Sequence, residues 1–254
     1  MAILEVEGLS KSFHSGLLRR RVIQAVEEVS FEIRSGTTLG LIGESGSGKS
    51  TLARLITGLI APTAGRICFM GQDISGLKGR SLKRLRRRLQ IIFQNPETAF
   101  NPRMKLKAGL SEPLRIHGLA RGKQLDESVQ GMASLVGLSE ELLGRYPHEL
   151  SGGQIQRAVL ARVLALQPEL IIFDEPTSML DLSYQAQILN LIKTVQAASN
   201  LTYLFVSHDL DVIRFMSDSV AVLQKGRLVE SGSLEEVFSR PVHPYTKELV
   251  SAAL

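Results

Sequence analysis

Apolar positions recur along this chain at two different spacings, and the switches between them mark out its elements. Over Ile3 to Val6 and Val26 to Ile33 an apolar residue falls at every second or third place, and Ser35-Gly36 closes the second run, so two or three antiparallel strands are expected. Thr38 to Ile42 is a short apolar run entering a glycine-rich turn, and Lys49 to Gly58 sets Leu52, Leu55 and Ile56 on one side of a helix. Arg66 to Met70 and Leu89 to Phe93 read as further strands. Between them lies a basic helix with Leu82, Leu85 and Leu89 at i, i+3 and i+7, which turns its arginines to water. From Asn95 to Tyr146 the strand signals vanish. Pro96, Pro102 and Pro113 are expected to break the chain there, and Leu125, Val129, Met132, Leu135 and Val136 have helical spacing, so this stretch reads as a helical insertion. Alternation of helix and strand then resumes: helix 151–166, strand 169–173, helix 183–198, strand 201–206, a short helix 209–216, strand 219–223 and the turn Lys225-Gly226 into strand 227–230. That order predicts an α/β fold with a mainly parallel sheet covered by helices.

Composition narrows the class. With 254 residues, 44% of them hydrophobic, the chain can bury one large core or two modest ones, and wholesale disorder is excluded. The single cysteine, Cys68, cannot form an internal disulfide, and no Cys/His group has zinc spacing, so a reducing compartment is expected. No apolar run approaches the roughly 20 residues needed to cross a bilayer. Met1 to Leu9 carries Glu5 and Glu7 and does not have the form of a secretory signal. The net charge is +5, and Lys83, Arg84, Arg86, Arg87 and Arg88 alone account for that excess. The basicity is local, and no nucleic-acid partner is expected.

Three segments carry chemistry. Gly43-Glu44-Ser45-Gly46-Ser47-Gly48-Lys49-Ser50 matches GxxxxGKS after an expected strand and before an expected helix. There the glycines let backbone N–H groups point at an anion, Lys49 supplies a point charge to the β- and γ-phosphates, Ser50 can ligate magnesium, and Thr51 adds a phosphate contact. Thr51 stands where a dinucleotide fingerprint would place its third glycine, so that reading fails. Leu170-Ile171-Ile172-Phe173 runs into Asp174-Glu175, two carboxylates at the carboxyl end of a strand. Asp174 suits a magnesium shell, and Glu175 suits polarisation of a water in line with the γ-phosphate. Leu150-Ser151-Gly152-Gly153-Gln154 has the S-x-x-Q form of a capping box. Two glycines in a helix's first turn cost about 1 kcal/mol each against alanine, and they leave amides bare to a closely approaching ligand such as a phosphate.

In this order, with Gln94 and His208, these residues resemble the nucleotide-binding subunit of an ABC transporter over essentially the whole chain: phosphate loop 43–51, Gln94 as Q-loop, LSGGQ at 150–154, acidic strand 170–175, Ser178-Met179-Leu180-Asp181 as D-loop, and His208 after strand 201–206. The resemblance implies a P-loop NTPase core with a mainly parallel sheet, an N-terminal antiparallel β subdomain and a helical insertion. In that division 1–94 and 167–254 form the RecA-like core with its antiparallel subdomain, and 95–166 the helical subdomain with the signature motif. It implies ATP and Mg²⁺ as ligands and a head-to-tail sandwich of two subunits around two ATP molecules. Ser151, Gly152, Gly153 and Gln154 of one protomer would then meet the γ-phosphate held by Lys49 of the other, with Gly43, Glu44, Ser45, Gly46, Ser47, Gly48, Ser50 and Thr51 around the phosphates. Glu175, His208 and Lys49 would be catalytic, and Ser50, Gln94 and Asp174 would hold the metal. Asp181 would be kept in register with Glu175 by His208. Phe13 is expected to stack on adenine, with core packing as the alternative. Met179 replaces the small residue common in the D-loop.

Gln94-Asn95-Pro96, Phe100-Asn101-Pro102-Arg103, Arg145-Tyr146-Pro147-His148-Glu149 and His243-Pro244-Tyr245-Thr246 look like the oligopeptide, dipeptide and nickel importer branch. Membership there implies two permease subunits, a paralogous second ATPase, an extracytoplasmic substrate-binding protein acting indirectly, and a peripheral place on the cytoplasmic face of the inner membrane. The competing class is a soluble ABC ATPase acting on DNA or the ribosome. It would call for a long coiled-coil insertion or a second ATPase domain, and this chain has one of each motif and no sustained heptads.

Overall fold

The structure is a computed structural model that describes residues 1–15, 21–178 and 180–252. In chain order it contains β1 (Ala2–Ser15), β2 (Arg21–Arg34), β3 (Thr38–Ile42), α1 (Lys49–Ile56), β4 (Ala64–Phe69), β5 (Gln72–Asp73), α2 (Gly79–Arg88), β6 (Leu89–Ile92), α3 (Leu106–Ile116), α4 (Gly122–Leu135), α5 (Gly152–Leu164), β7 (Leu170–Asp174), α6 (Leu182–Ser199), β8 (Thr202–Val206), α7 (Leu210–Met216), β9 (Ser219–Gln224), β10 (Arg227–Ser233), α8 (Leu234–Ser239) and α9 (Pro244–Ser251). Short 3₁₀ turns cover Pro96–Ala99, Glu140–Gly144 and Pro147–Glu149.

Two sheets organise the chain. One is four-stranded and antiparallel, in the order β2-β1-β4-β5. The other is six-stranded, in the order β10-β9-β3-β8-β7-β6, and within it only the edge strand β10 runs antiparallel to its neighbour. The inner strands are predominantly apolar because both faces are covered, and their two-residue period splits the side chains between two cores. Leu170 and Ile172 of β7, with Leu204 and Val206 of β8, face the core shared with the antiparallel sheet and α1. Ile171 and Phe173, with Tyr203 and Phe205, face the core shared with α3, α5, α6 and α7. The expected α/β fold, with an antiparallel N-terminal sheet and a mainly parallel one, is therefore present.

Three expectations need correction. Pro113 does not break the chain, because it lies buried inside α3. An interior proline costs a helix about 3 kcal/mol. Leu106, Leu110 and Leu114, at four-residue spacing, are each at most 4% exposed. At roughly 1.5–3 kcal/mol per buried leucine, that face outweighs the penalty. Leu89 does not extend the face of α2 but opens β6, pairing with Leu170. The arginines of α2 do not all face water either. Arg88 pairs with Glu169 at 2.6 Å and lies over the Phe69 ring. With Arg84 and Arg87 it lines a groove of about 1130 Å³ that also contains Leu77 and Leu85. Sequence reading also missed α8 and α9, which follow β10.

Candidate functional site

The parallel register brings distant segments to one edge. The loop after β3, the acids after β7, His208 after β8 and Gln94 after β6 all leave the carboxyl ends of neighbouring strands, where ligands of open α/β sheets bind. The phosphate loop curls because its glycines adopt backbone angles closed to other residues. Gly43 has φ +148°, and a Cβ there would lie 2.1 Å from the Leu223 carbonyl oxygen. Gly48, at φ 108°, caps α1 with no side-chain hydrogen bond. Its helix N-terminus is thus left to an incoming anion.

Lys49 is 5% exposed, and its Nζ donates to the carbonyls of Gly43 (2.6 Å) and Glu44 (2.8 Å). Burial pushes its pKa down, while the nearby carboxylates of Glu175, Asp174 and Glu44 oppose the shift. A third ammonium proton stays available to a phosphate. Within the loop, the buried Ser47 hydroxyl has no hydrogen-bond partner among the described residues. Glu44, Ser45 and Gly46 form the exposed rim of the loop, and Thr51 is half-buried on α1. A buried cation, bare helix-start amides and an unpartnered hydroxyl form a donor set suited to a polyphosphate.

The Ser50 hydroxyl donates to Asp174 Oδ1 at 2.9 Å. Burial raises the Asp174 pKa and the Ser50 bond opposes it. The native pKa therefore lies above the unfolded value, and stability falls as pH rises through the interval between the two. Asp174→Asn is accordingly expected to leave the free protein's melting temperature at pH 7 unchanged or higher. A calorimetric loss above about 1 kcal/mol would contradict this account of the buried charge.

Glu175 is the focus of the site. Its Oε1 lies 3.2 Å from His208 Nδ1, and its Oε2 accepts from Gln94 Nε2 at 3.2 Å. The residue sits at φ 53°, a strained conformation for a side chain of this kind. The strain is held by its N–H donating to the Val206 carbonyl and by the Ser178 hydroxyl donating to its own carbonyl. Gln94 also donates to Ser178 Oγ at 3.1 Å. The carboxylate is thus gripped from two strands, with a side chain 19% exposed.

Elsewhere the assembly is partial. The Ser151-Gln154 capping box forms in both directions, the Gln154 N–H donating to Ser151 Oγ and the Ser151 N–H to Gln154 Oε1. Gly152 is exposed and Gly153 buried, and a Cβ on Gly153 would lie 2.9 Å from the Tyr184 ring. No hydrogen bond among the described residues joins 151–154 to 43–51. Asp181 caps α6 by accepting from the Tyr184 N–H, and His208 makes no hydrogen bond to it among the described residues. Phe13 is 40% exposed with Lys11 Nζ 5.2 Å from its ring centroid, so it does not pack in the core. Met179 lies outside the described residues. Sequence reading missed the Tyr184 cover on Gly153 and the Tyr245 hydroxyl on the phosphate loop, since neither side chain belongs to a motif near the one it touches.

A family model described as "ABC transporter" matches residues 26–178. The chain belongs to the ABC transporter family. This ABC ATPase is 46% identical, over 98% of its own length and 78% of the relative's, to the oligopeptide transport ATP-binding protein AppF of Bacillus subtilis. It is 44% identical, over 98% of its length and 80% of the relative's, to the dipeptide transport ATP-binding protein DppF of Lactococcus lactis. Among solved structures it resembles the ATP-binding cassette MJ0796 in a dimeric post-hydrolysis state bound to ADP and Pi, with TM-score 0.81 and 28% identity over 91% of this chain and 98% of that one. These relatives are transport ATP-binding proteins and hydrolytic cassettes, so the soluble DNA or ribosome alternative is not favoured and ATPase activity is supported. No helix of this ABC ATPase among the described residues is long and apolar enough to cross a membrane.

Proposed function

We propose that this chain hydrolyses ATP to drive peptide uptake by an importer. It would work on the cytoplasmic face of the membrane with two permease subunits and a paralogous ATPase, and a substrate-binding protein would deliver cargo from outside. The supporting observation is the identity of about 45% across nearly the whole chain to oligopeptide and dipeptide transport ATP-binding proteins. In reconstituted vesicles holding the full complex, ATP-dependent peptide uptake is expected. Uptake of nickel without peptide would overturn the cargo assignment.

In this reading the core 1–94 and 167–254 binds nucleotide, and the helical subdomain 95–166 presents the signature. Lys49 and the amides of 43–51 hold the triphosphate, and Phe13 offers an exposed ring to adenine. Ser50 and Asp174, with Gln94, would hold Mg²⁺, which would supply charge neutralisation to the phosphates. Glu175 accepts hydrogen bonds from the attacking water and orients it, while His208 fixes Glu175 and reaches the γ-phosphate. Across the dimer, Ser151, Gly153 and Gln154 of one subunit complete the site of the other. Their internal capping and the lack, among the described residues, of a hydrogen bond to the chain's own loop support action in trans. The Ser151 hydroxyl accepts from Gln154, so its own proton is free for a partner's phosphate.

Gly153→Asp places a carboxylate where the partner's γ-phosphate would sit. ATP binding measured by calorimetry is expected to stay within a few-fold of the parent while hydrolysis falls at least about 100-fold. An unchanged rate would remove the trans contact. The Tyr184 ring, 45% exposed, can swing aside for the new Cβ, so the free fold should survive.

A further inference from the structure

The His243-Pro244-Tyr245-Thr246 segment serves as a branch marker in the sequence, and its Tyr245 hydroxyl touches the phosphate loop. Its structure gives each of the first three residues a task. His243 caps α9, its Nδ1 accepting from the Tyr245 N–H at 3.2 Å, and Pro244 occupies the first turn, where a missing N–H costs nothing. The Glu230 carboxylate on β10 accepts from the N–H groups of Val242 (2.8 Å) and His243 (2.9 Å), tying the start of the helix to the sheet. Tyr245, 6% exposed, then points its hydroxyl at the phosphate loop, where it accepts from the Glu44 N–H at 2.9 Å.

Glu44 links two peptides of the loop, and its N–H shares the first with the Gly43 carbonyl, which accepts from Lys49 Nζ at 2.6 Å. The Glu44 carbonyl, in the second, accepts from Lys49 Nζ at 2.8 Å and from the Ser47 N–H at 3.1 Å. The Ser47 carbonyl in turn accepts from the Gly226 N–H at 2.8 Å. The loop is therefore held from outside at two points, by the β9–β10 turn and by the C-terminal helix. A phenylalanine at 245 would fill the same space but leave the Glu44 N–H without its partner. The same peptide plane aims the Gly43 carbonyl that holds the Lys49 ammonium at 2.6 Å.

We propose that Tyr245 is a positioning residue for nucleotide binding: its hydroxyl fixes the Gly43–Glu44 peptide and, through its carbonyl, the phosphate loop and Lys49. The C-terminal helix thereby sets the ATP affinity of a loop about 200 residues earlier in the chain. The proposal rests on the ATP-binding reading of that loop.

The test compares the full chain with Tyr245→Phe and Tyr245→Leu, measuring ATP affinity by titration calorimetry, steady-state ATPase kinetics and melting without nucleotide. The phenylalanine variant is expected to bind ATP about three- to tenfold more weakly, as the loss of one net hydrogen bond implies. Its KM for ATP should rise by a similar factor, with kcat within about twofold and the nucleotide-free melting temperature within about 2 °C of the parent. Tyr245→Leu, which also removes the ring, should lower that melting temperature as well. Unchanged affinity in Tyr245→Phe, or weaker binding that appears only together with a lowered nucleotide-free melting temperature, would overturn the positioning role and leave Tyr245 as packing. Failure of the parent chain itself to bind ATP would strike the ATP reading instead, so the two failures are distinguishable.

Discussion

Glu175→Gln is expected to lower ATP turnover by about 10²- to 10³-fold while ATP binding stays within a few-fold of the parent. The substitution keeps the size of the side chain and most of its surroundings. What changes is charge and acceptor capacity at the end gripped by His208 and Gln94. A carboxylate offers two acceptor oxygens, so it can take a bond from each neighbour and still accept from a water. A glutamine offers one oxygen, and its amide nitrogen faces another donor. Binding should survive because the phosphates are held by a different part of the site. The loop, its helix-start amides and Lys49 are untouched, although removing the Glu175 charge takes away the largest influence that keeps Lys49 protonated against its burial. The Lys49 pKa therefore falls further in the variant. Single-turnover hydrolysis and titration calorimetry separate the two effects. Near-parent turnover would show that some other group positions the water.

Much of this site is visible in the sequence because its parts are local. The phosphate loop is a contiguous glycine pattern between a strand and a helix, and the Ser151-Gln154 pair is a three-residue spacing, so chain-local geometry fixes both. The parallel sheet can be anticipated from βα alternation, since parallel strands need crossovers and their carboxyl ends then fall on one edge. What could not be read is what depends on long-range packing. Pro113 signals a break by every local rule, and only the leucine face it shares with Leu106, Leu110 and Leu114 keeps it helical. Glu175 gives no hint of its left-handed backbone, which the Val206 carbonyl on β8 and the Ser178 hydroxyl impose. Tyr245 reaches Glu44 across a separation of 201 residues, and neither segment has a pattern that names the other.

Lys49→Ala should abolish the stabilisation of the protein by ATP without unfolding the free chain. A ligand that binds only the native state at about 100 times its Kd adds about 2.7 kcal/mol, which for a domain of this size raises Tm by roughly 5–10 °C. The parent is expected to show that rise with ATP and the variant none. The free chain should tolerate the change because the buried ammonium is itself costly. Its pKa is pushed down by desolvation, so at neutral pH the native state carries a penalty that is relieved only as pH rises through the depressed value. Removing the charge removes that penalty, and the Glu44 carbonyl keeps the Ser47 N–H as a donor. Loss of the ammonium also leaves the triphosphate without the buried Lys49 charge, which the loop's amide dipoles cannot replace. If Lys49→Ala retained an ATP-dependent rise of several degrees, the segment 43–51 would not be where the phosphates bind. The roles of Glu175, the signature residues and Tyr245 would then lose their common reference point.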